Sequence, residues 1–222
     1  GLYIPQNYDR TFRGWVSVRT ALGNSLNIPA VRAGAMLGPD ALAEGLKRFG
    51  LPLKEPGGFY GPGLALGSAE VTLRDLANAY RTLANGGRWS PLRLQLDGAD
   101  SAHKPMGHMV VTPQTAHLLT DILADNSARA LSFGLHSALA TRGFAAVKTG
   151  TSKDMRDNWC LGYTDLYTVG VWVGNASGSP MHDVSGVTGA APVWASLVRD
   201  LHQARPSHAP TPPAGLRRQV IH

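Results

Sequence analysis

Val147-Lys148-Thr149-Gly150-Thr151-Ser152 follows a short apolar lead-in, Phe144-Ala145-Ala146, and reads as the start of a strand. Side chains on an extended backbone alternate faces, so Lys148 and Gly150 point one way and Thr149 and Thr151 the other. A glycine inside a strand often marks a place where a ligand approaches the backbone closely. One cation, two hydroxyls and an open backbone edge suit a ligand that carries a carboxylate and an amide. The same residues also suit an ordinary edge strand whose lysine discourages pairing with another chain. The rest of the chain decides between these readings.

Toward the C-terminus, a polar turn over 152–156 leads to Trp159-Cys160-Leu161-Gly162-Tyr163, and a second turn at Thr164-Asp165 leads to a run over 167–174. In that run Tyr167, Val169, Val171 and Val173 form an apolar face, while Trp172 makes the other face partly apolar, which predicts cover on both sides. The short connections predict an antiparallel meander. Pro192 opens a final helix to about residue 203 that buries Val193, Leu197, Val198 and Leu201. The tail from residue 204 is rich in proline and reads as a linker.

Toward the N-terminus the pattern is helical. Ser17 caps a short helix to residue 22, which Gly23-Asn24 stops. The loop Ser25-Leu26-Asn27 follows, and Pro29 sits near the first turn of a helix reaching residue 37. A helix over 40–49 carries Leu42, Leu46 and Phe49 at helical spacing. Residues 51–68 read as a loop rich in Gly and Pro. Thr72 opens the strongest helix, with Asp75 three residues on in the style of a capping box and Leu73, Leu76, Ala77, Tyr80 and Leu83 along one face. Asn85-Gly86-Gly87 closes it as a left-handed cap. Short strands and polar loop fill 88–109, and Thr112-Pro113 starts a helix to residue 124 with Leu118, Leu119 and Ile122 inward. Residues 125–143 read as loop. Helices, then strands, then one helix is an α+β order.

Composition narrows the function. A chain of 222 residues buries a substantial core, and 43% hydrophobic with 16% charged residues is globular. The net charge of +6 comes from scattered residues with no run longer than Arg217-Arg218, so a nucleic-acid stripe is not supported. The single cysteine, Cys160, excludes an internal disulfide and reads as a small core residue. The eight histidines form no His-Glu-x-x-His, so no metal site is expected, and no cofactor. No apolar run approaches ~18 residues, so no membrane span is expected. The opening Gly-Leu-Tyr-Ile, without a methionine, reads as the start of a piece cut from something longer.

Ser25-Leu26-Asn27 between helices and Lys148-Thr149-Gly150-Thr151 on a strand together resemble the second and third motifs of penicillin-binding proteins and serine β-lactamases. Further stretches narrow this to the transpeptidase domain of class A, bifunctional penicillin-binding proteins. They are Asn7-Tyr8-Asp9 with Phe12-Arg13-Gly14, the run over 21–31, Ala79-Tyr80 with Ala84-Asn85-Gly86-Gly87, and Asp157-Asn158-Trp159 before Gly162-Tyr163. Residues 64–87 and Ala190-Ala191-Pro192-Val193-Trp194 look most like the 1C subgroup. The resemblance spans about residues 3–203.

This resemblance implies a serine β-lactamase/penicillin-binding transpeptidase-like α+β fold, with a helical subdomain beside a five-stranded antiparallel sheet flanked by helices. It implies acyl transfer from D-Ala-D-Ala stem peptides of peptidoglycan, with trapping by β-lactams. Ser25 and Lys148 would form a hydroxyl–ammonium relay to the leaving amine, and Asn27 would bind the substrate's peptide amide. Thr149 and Thr151 would hold the terminal carboxylate, the Thr151 N–H would form half of the oxyanion hole, and Gly150 would let substrate lie against the strand. The family's nucleophile lies in a Ser-x-x-Lys upstream of Ser-x-Asn, and residues 1–24 hold none. The single Ser-x-x-Lys, Ser101-Ala102-His103-Lys104, falls between the other motifs in a polar stretch with no helical pattern. The expectation is therefore a fragment whose nucleophile, glycosyltransferase domain and membrane anchor were encoded before Gly1. Residues 1–203 would be the partial transpeptidase domain, and 204–222 a linker toward a further C-terminal region. Expected partners are stem peptides, β-lactams and other cell-wall synthesis proteins, with no nucleic acid, at the periplasmic face of a bacterial inner membrane. The alternative is a non-catalytic module of the same fold that binds substrate or scaffolds other proteins.

Overall fold

The computed structural model describes residues 4–94, 106–217 and 219, and its first helices follow from local capping. The Ser17 hydroxyl accepts the Thr20 N–H at 3.0 Å and opens α1 (Val18–Gly23). Helix α2 (Asn27–Leu37) includes Asn27, which the sequence placed in the preceding loop. Helix α3 (Pro39–Arg48) has Asp40 in its first turn and Lys47 and Arg48 in its last, matching the helix dipole. The Gly- and Pro-rich stretch is more ordered than a plain loop, forming α4 (Gly57–Tyr60) and a 3₁₀ segment, Gly61–Leu66. Gly57 allows this, because a Cβ there would stand 2.0 Å from the Pro39 carbonyl oxygen. Leu51, Leu53 and Leu64 join Ala43 and Ala79 in one buried cluster, with Leu42, Leu46 and Phe49 against it.

Thr72 caps α5 (Leu73–Ala84) by accepting the Asp75 N–H at 3.1 Å, while its hydroxyl donates to the Asp75 carboxylate. The helix is covered on more sides than the one apolar face predicted. Leu76 and Ala79 pack into the cluster above, Tyr80 and Leu83 meet a second cluster of Leu123, Ala146 and Tyr163, and Asn78 and Thr82 are buried polar residues. Gly86 and Gly87 end it at φ +64° and +90°, with the Gly87 N–H donating back to the Thr82 carbonyl. Strands β1 (Arg88–Trp89) and β2 (His108–Met109) then pair antiparallel.

In α6 (Pro113–Ala124) the predicted inward face is wrong by about one position. Ala116, Thr120 and Leu123 are buried, and Leu118 is 50% exposed. The reason is the sheet beneath. The Thr120 hydroxyl lies 2.7 Å from the buried Tyr163 phenol, which needs a partner, and small side chains let the helix come that close. Within the expected loop 125–143 lies one short helix, α7 (Ala130–Phe133).

Strands β3 (Ala146–Thr151), β4 (Asp157–Tyr163) and β5 (Thr168–Gly174) form the predicted antiparallel meander, with Thr149 opposite Cys160 and Cys160 opposite Val171. Among the described residues this sheet has three strands, where the resemblance implies five. Helices α5 and α6 cover one face; α8 (Ala191–Leu201) and a π-helical turn, Gly186–Ala190, cover the other. Val169, Val171 and Val173 pack against α8's cluster, but Trp172 stays more than a third exposed, so the second face of β5 is covered only in part. Helix α8 buries Ala191, Trp194 and Val198, leaving the predicted Val193, Leu197 and Leu201 more than 40% exposed. The wholly buried indole sets the rotation: it needs the gap left by Gly162, whose Cβ would stand 2.5 Å from the ring. Residues 205–215, read as linker, lie back on the domain, where the Gln114 amide donates to the Ala214 carbonyl at 2.8 Å.

Among the described residues no helix is long and apolar enough to cross a membrane. Large apolar side chains nevertheless face solvent along the N-terminal arm, α1 and α2, namely Tyr8, Phe12, Trp15 (98% exposed), Val18 and Met36. So many large apolar side chains in water are a liability for association. The isolated 222-residue chain is expected to bind ANS and to melt over a broad range. A sharp, reversible thermal transition without ANS fluorescence counts against that expectation.

Candidate active site

Helix α1 ends at Gly23-Asn24, and Ser25 follows in the left-handed region at φ +57°. Such a conformation costs a non-glycine residue about 1–2 kcal/mol, so its surroundings must impose it. The Ser25 N–H donates to the Leu22 carbonyl at 3.2 Å and the Leu26 N–H to the Ala21 carbonyl at 2.9 Å, which folds the chain sharply into α2. The turn pushes the Ser25 hydroxyl toward β3. There the Lys148 ammonium donates to Ser25 Oγ at 2.6 Å and to the Thr149 carbonyl at 2.7 Å. Two motifs 123 residues apart thus meet in one hydrogen bond.

Burial of the ammonium, reinforced by the Arg129 guanidinium nearby, pulls the Lys148 pKa from 10.5 down to about 8. Cys160, in the buried core, has its thiol pushed up to about 12 by the same loss of solvent and is inert at neutral pH.

The outer edge of β3 is open among the described residues, because β4 is its single neighbour. The Val147 carbonyl accepts from Arg129 Nη1 at 3.2 Å and the Thr149 carbonyl accepts from Lys148, so alternate backbone groups point away from β4. By that alternation the Thr151 N–H belongs to the same open edge. A Cβ on Gly150 would meet nothing nearer than Trp159 at 3.7 Å, so the glycine is not demanded by contacts within the chain.

The other predicted residues sit at different distances from this pair. Asn27, at the start of α2, donates to the Gln6 carbonyl at 2.8 Å. Thr149 is buried on the opposite face of β3 beneath Gly186, and the exposed Thr151 hydroxyl accepts the Gly186 N–H at 2.9 Å. A Cβ on Gly186 would lie 2.6 Å from the Gly150 carbonyl oxygen, so this glycine lets the π-helical turn brace the motif strand from behind. The stretch Ser101-Ala102-His103-Lys104 lies outside the described residues. Among those residues no group of His, Cys, Asp or Glu could hold a metal ion.

The sequence reading missed Arg129, whose side chain is buried with Nε lacking a partner among the described residues. Burial lowers its pKa as well. Nothing in Ser127-Ala128-Arg129-Ala130 marks the arginine as buried, since arginines are mostly exposed.

Comparison with known proteins identifies the family and the fold. The family model of the penicillin binding protein transpeptidase domain matches residues 3–180. The chain is 35% identical over 215 residues to penicillin-binding protein 1C of Escherichia coli K12, covering 96% of this chain and 26% of that protein. It is 31% identical over 203 residues to penicillin-binding protein 1B of Vibrio cholerae, covering 89% and 26%. The chain therefore spans about a quarter of the length of the curated relatives it matches. In fold it matches the crystal structure of penicillin-binding protein 1A from Haemophilus influenzae with a TM-score of 0.78 at 22% identity, over 94% of this chain and 38% of that one. Penicillin-binding protein A of Mycobacterium tuberculosis, solved as a ceftriaxone acyl-enzyme complex, matches with a TM-score of 0.66 at 22% identity, over 87% and 51%. With Ser-x-Asn and Lys-Thr-Gly-Thr brought together on such a fold, the chain belongs to the penicillin-binding protein transpeptidase family.

Proposed function

We propose that the chain serves a peptidoglycan D,D-transpeptidase, supplying the proton relay and the substrate edge for acyl transfer from D-Ala-D-Ala stem peptides. The observation that carries this reading is the 2.6 Å bond from Lys148 Nζ to Ser25 Oγ. As the serine of the family's Ser-x-x-Lys attacks the penultimate D-Ala carbonyl, that motif's lysine takes the hydroxyl proton, the C–N bond breaks and the leaving amine needs a proton. Ser25 gives its hydroxyl proton to that nitrogen and takes one from the Lys148 ammonium. Lysine is left neutral, which a pKa of about 8 makes inexpensive near neutral pH. When the acceptor amine of a second stem attacks the acyl-enzyme it returns a proton along the same path, and the Ser-x-x-Lys lysine gives its proton back to the departing serine oxygen.

The extended stem peptide lies along the open edge of β3, as an added strand, with the Thr151 N–H toward the developing oxyanion. Gly150 leaves that edge unobstructed. Asn27 exchanges its bond to Gln6 for the substrate amide, and the hydroxyls of Thr149 and Thr151 are assigned to the terminal carboxylate, Thr151 being the exposed one of the two. β-Lactams enter as mimics of the same peptide. The site of action is the periplasmic face of a bacterial cytoplasmic membrane, where stem peptides are found.

Intact-mass measurement after incubation with a labelled penicillin tests the proposal. The 222-residue chain is expected to gain no adduct, because its one Ser-x-x-Lys shows no helical pattern in sequence, whereas a longer protein that joins this chain to an upstream Ser-x-x-Lys gains one. An adduct on Ser101 overturns the motif assignment. No adduct on the intact protein favours a non-catalytic binding module of the same fold.

A further inference from the structure

We infer that the segment 128–132 is a bracket that fixes Ser25 Oγ against Lys148 Nζ, with Asn24, Arg129 and Ser132 as positioning residues. The inference rests on the Ser25–Lys148 relay proposed above. One short stretch of chain touches the residue immediately before Ser25 and the residue immediately before Lys148, through hydrogen bonds to Asn24 and to the Val147 carbonyl.

On the Ser25 side, Asn24 is buried, and both ends of its side-chain amide reach the segment 128–132. Its Nδ2 donates to the Thr20 carbonyl at 3.0 Å and to the Ala128 carbonyl at 2.6 Å, and its Oδ1 accepts the Ser132 N–H at 2.9 Å. The Ser132 hydroxyl donates to the Asn24 backbone carbonyl at 3.0 Å. Gly23 lets the two segments close up, since a Cβ there would stand 2.9 Å from the Ala128 carbonyl oxygen. These bonds grip the peptide that leads into Ser25, where the strained φ of +57° needs external support.

On the Lys148 side, Arg129 reaches the Val147 carbonyl with Nη1 at 3.2 Å. It is a costly choice for packing alone. The guanidinium is 3% exposed and leaves Nε without a partner among the described residues, so an apolar side chain would serve a purely structural role better. What the arginine supplies is a donor that fixes one carbonyl on an edge no strand occupies, directly beside Lys148. The two grips come from within one five-residue stretch, 128–132, so Ser25 and Lys148 are indexed to each other and not only to their own elements.

A hydroxyl held within hydrogen-bond reach of its proton source loses rate steeply when displaced by an ångström, by up to about 10²-fold. In the intact protein, Asn24→Ala is expected to slow penicillin acylation by about 10- to 100-fold. Ser132→Ala, which deletes one hydrogen bond at an exposed residue, slows it by about threefold to tenfold, and Ser132→Thr restores most of the loss. The discriminating measurement is the same substitution in a Ser25→Ala background. A residue that acts through the Ser25 hydroxyl has nothing left to position there, so Ser132→Ala and Asn24→Ala then cost less than about twofold. Equal losses with and without the Ser25 hydroxyl overturn the bracket, as does parental acylation by the Asn24→Ala protein. If Asn24→Ala fails to fold, the Ser132 pair answers alone. If Ser25→Ala by itself leaves acylation unchanged, it is the relay reading that fails.

Discussion

Replacing Lys148 with alanine in the intact protein is expected to lower the second-order rate of penicillin acylation by about 10²–10³, the loss that follows removal of one pre-organised group from a closed site. The substitution deletes the donor to Ser25 Oγ and the positive charge on the edge where a carboxylate arrives. Lys148→Arg keeps the charge, but a planar guanidinium does not fit beside a serine hydroxyl as a compact ammonium does, so it recovers only part of the rate. The pH dependence gives a second, independent reading. Because the lysine pKa in the folded protein lies near 8, below its ordinary 10.5, the ammonium form is lost as pH rises through about 8, and acylation falls over that range. Stability moves the opposite way. Between about 8 and 10.5 the unfolded chain binds the proton that the folded chain has released, so the burial penalty is fully present below 8 and fades as pH rises to 10.5. Lys148→Met should remove both slopes at once. Acylation by Lys148→Ala within threefold of the parent, or an activity profile rising through pH 8, would show that the lysine is not the proton donor.

Trp194→Ala is expected to destabilise the intact transpeptidase region by about 3–5 kcal/mol, read from the midpoint of urea unfolding. The indole is wholly buried, packs with Val147, Cys160, Val171 and Val198, and donates Nε1 to the Val169 carbonyl at 3.1 Å. Truncation opens a cavity between α8 and the sheet, against a Gly162 that cannot fill it, and removes the indole's bond to a β5 carbonyl. Trp194→Phe retains most of the volume and loses the hydrogen bond, so a smaller loss of about 1–3 kcal/mol is expected. Because Val147 immediately precedes Lys148, the alanine variant should also lose acylation at temperatures where it remains folded. A loss of stability below about 1 kcal/mol would mean that this helix does not anchor the sheet.

The elements that local chemistry dictates were legible from the residues. Ser17, Thr72 and Thr112 each open a helix by accepting the N–H three residues on, and Gly86-Gly87 closes one, because these devices need only neighbours in the chain. The meander of β3, β4 and β5 was legible for the same reason, since short turns leave adjacent strands few other arrangements. Which side of a helix faces inward was less secure. In α6 and α8 the apolar stripe was drawn through the leucines. The structure instead turns Thr120 toward the Tyr163 phenol and Trp194 into the space above Gly162. A single buried hydroxyl or indole outweighs a stripe of leucines because an unpaired polar group or an unfilled cavity costs more than leaving part of a leucine in water.

For the site, the residue types and their order determined the chemistry: a serine with an asparagine two residues on, then a lysine followed by Thr-Gly-Thr on a strand. Tertiary structure alone decided that Ser25 Oγ and Lys148 Nζ stand 2.6 Å apart, that the lysine is enclosed enough to titrate near 8, and that Thr149 is buried beneath Gly186. It also decided that Asn24, read only as a helix stop, and Arg129 and Ser132, in a stretch read as loop, hold the pair in register. Motifs record which groups a reaction needs, and those are local properties of side chains. Distances, dielectric and register depend on what the fold packs around them, and that information is spread over more than a hundred residues of chain.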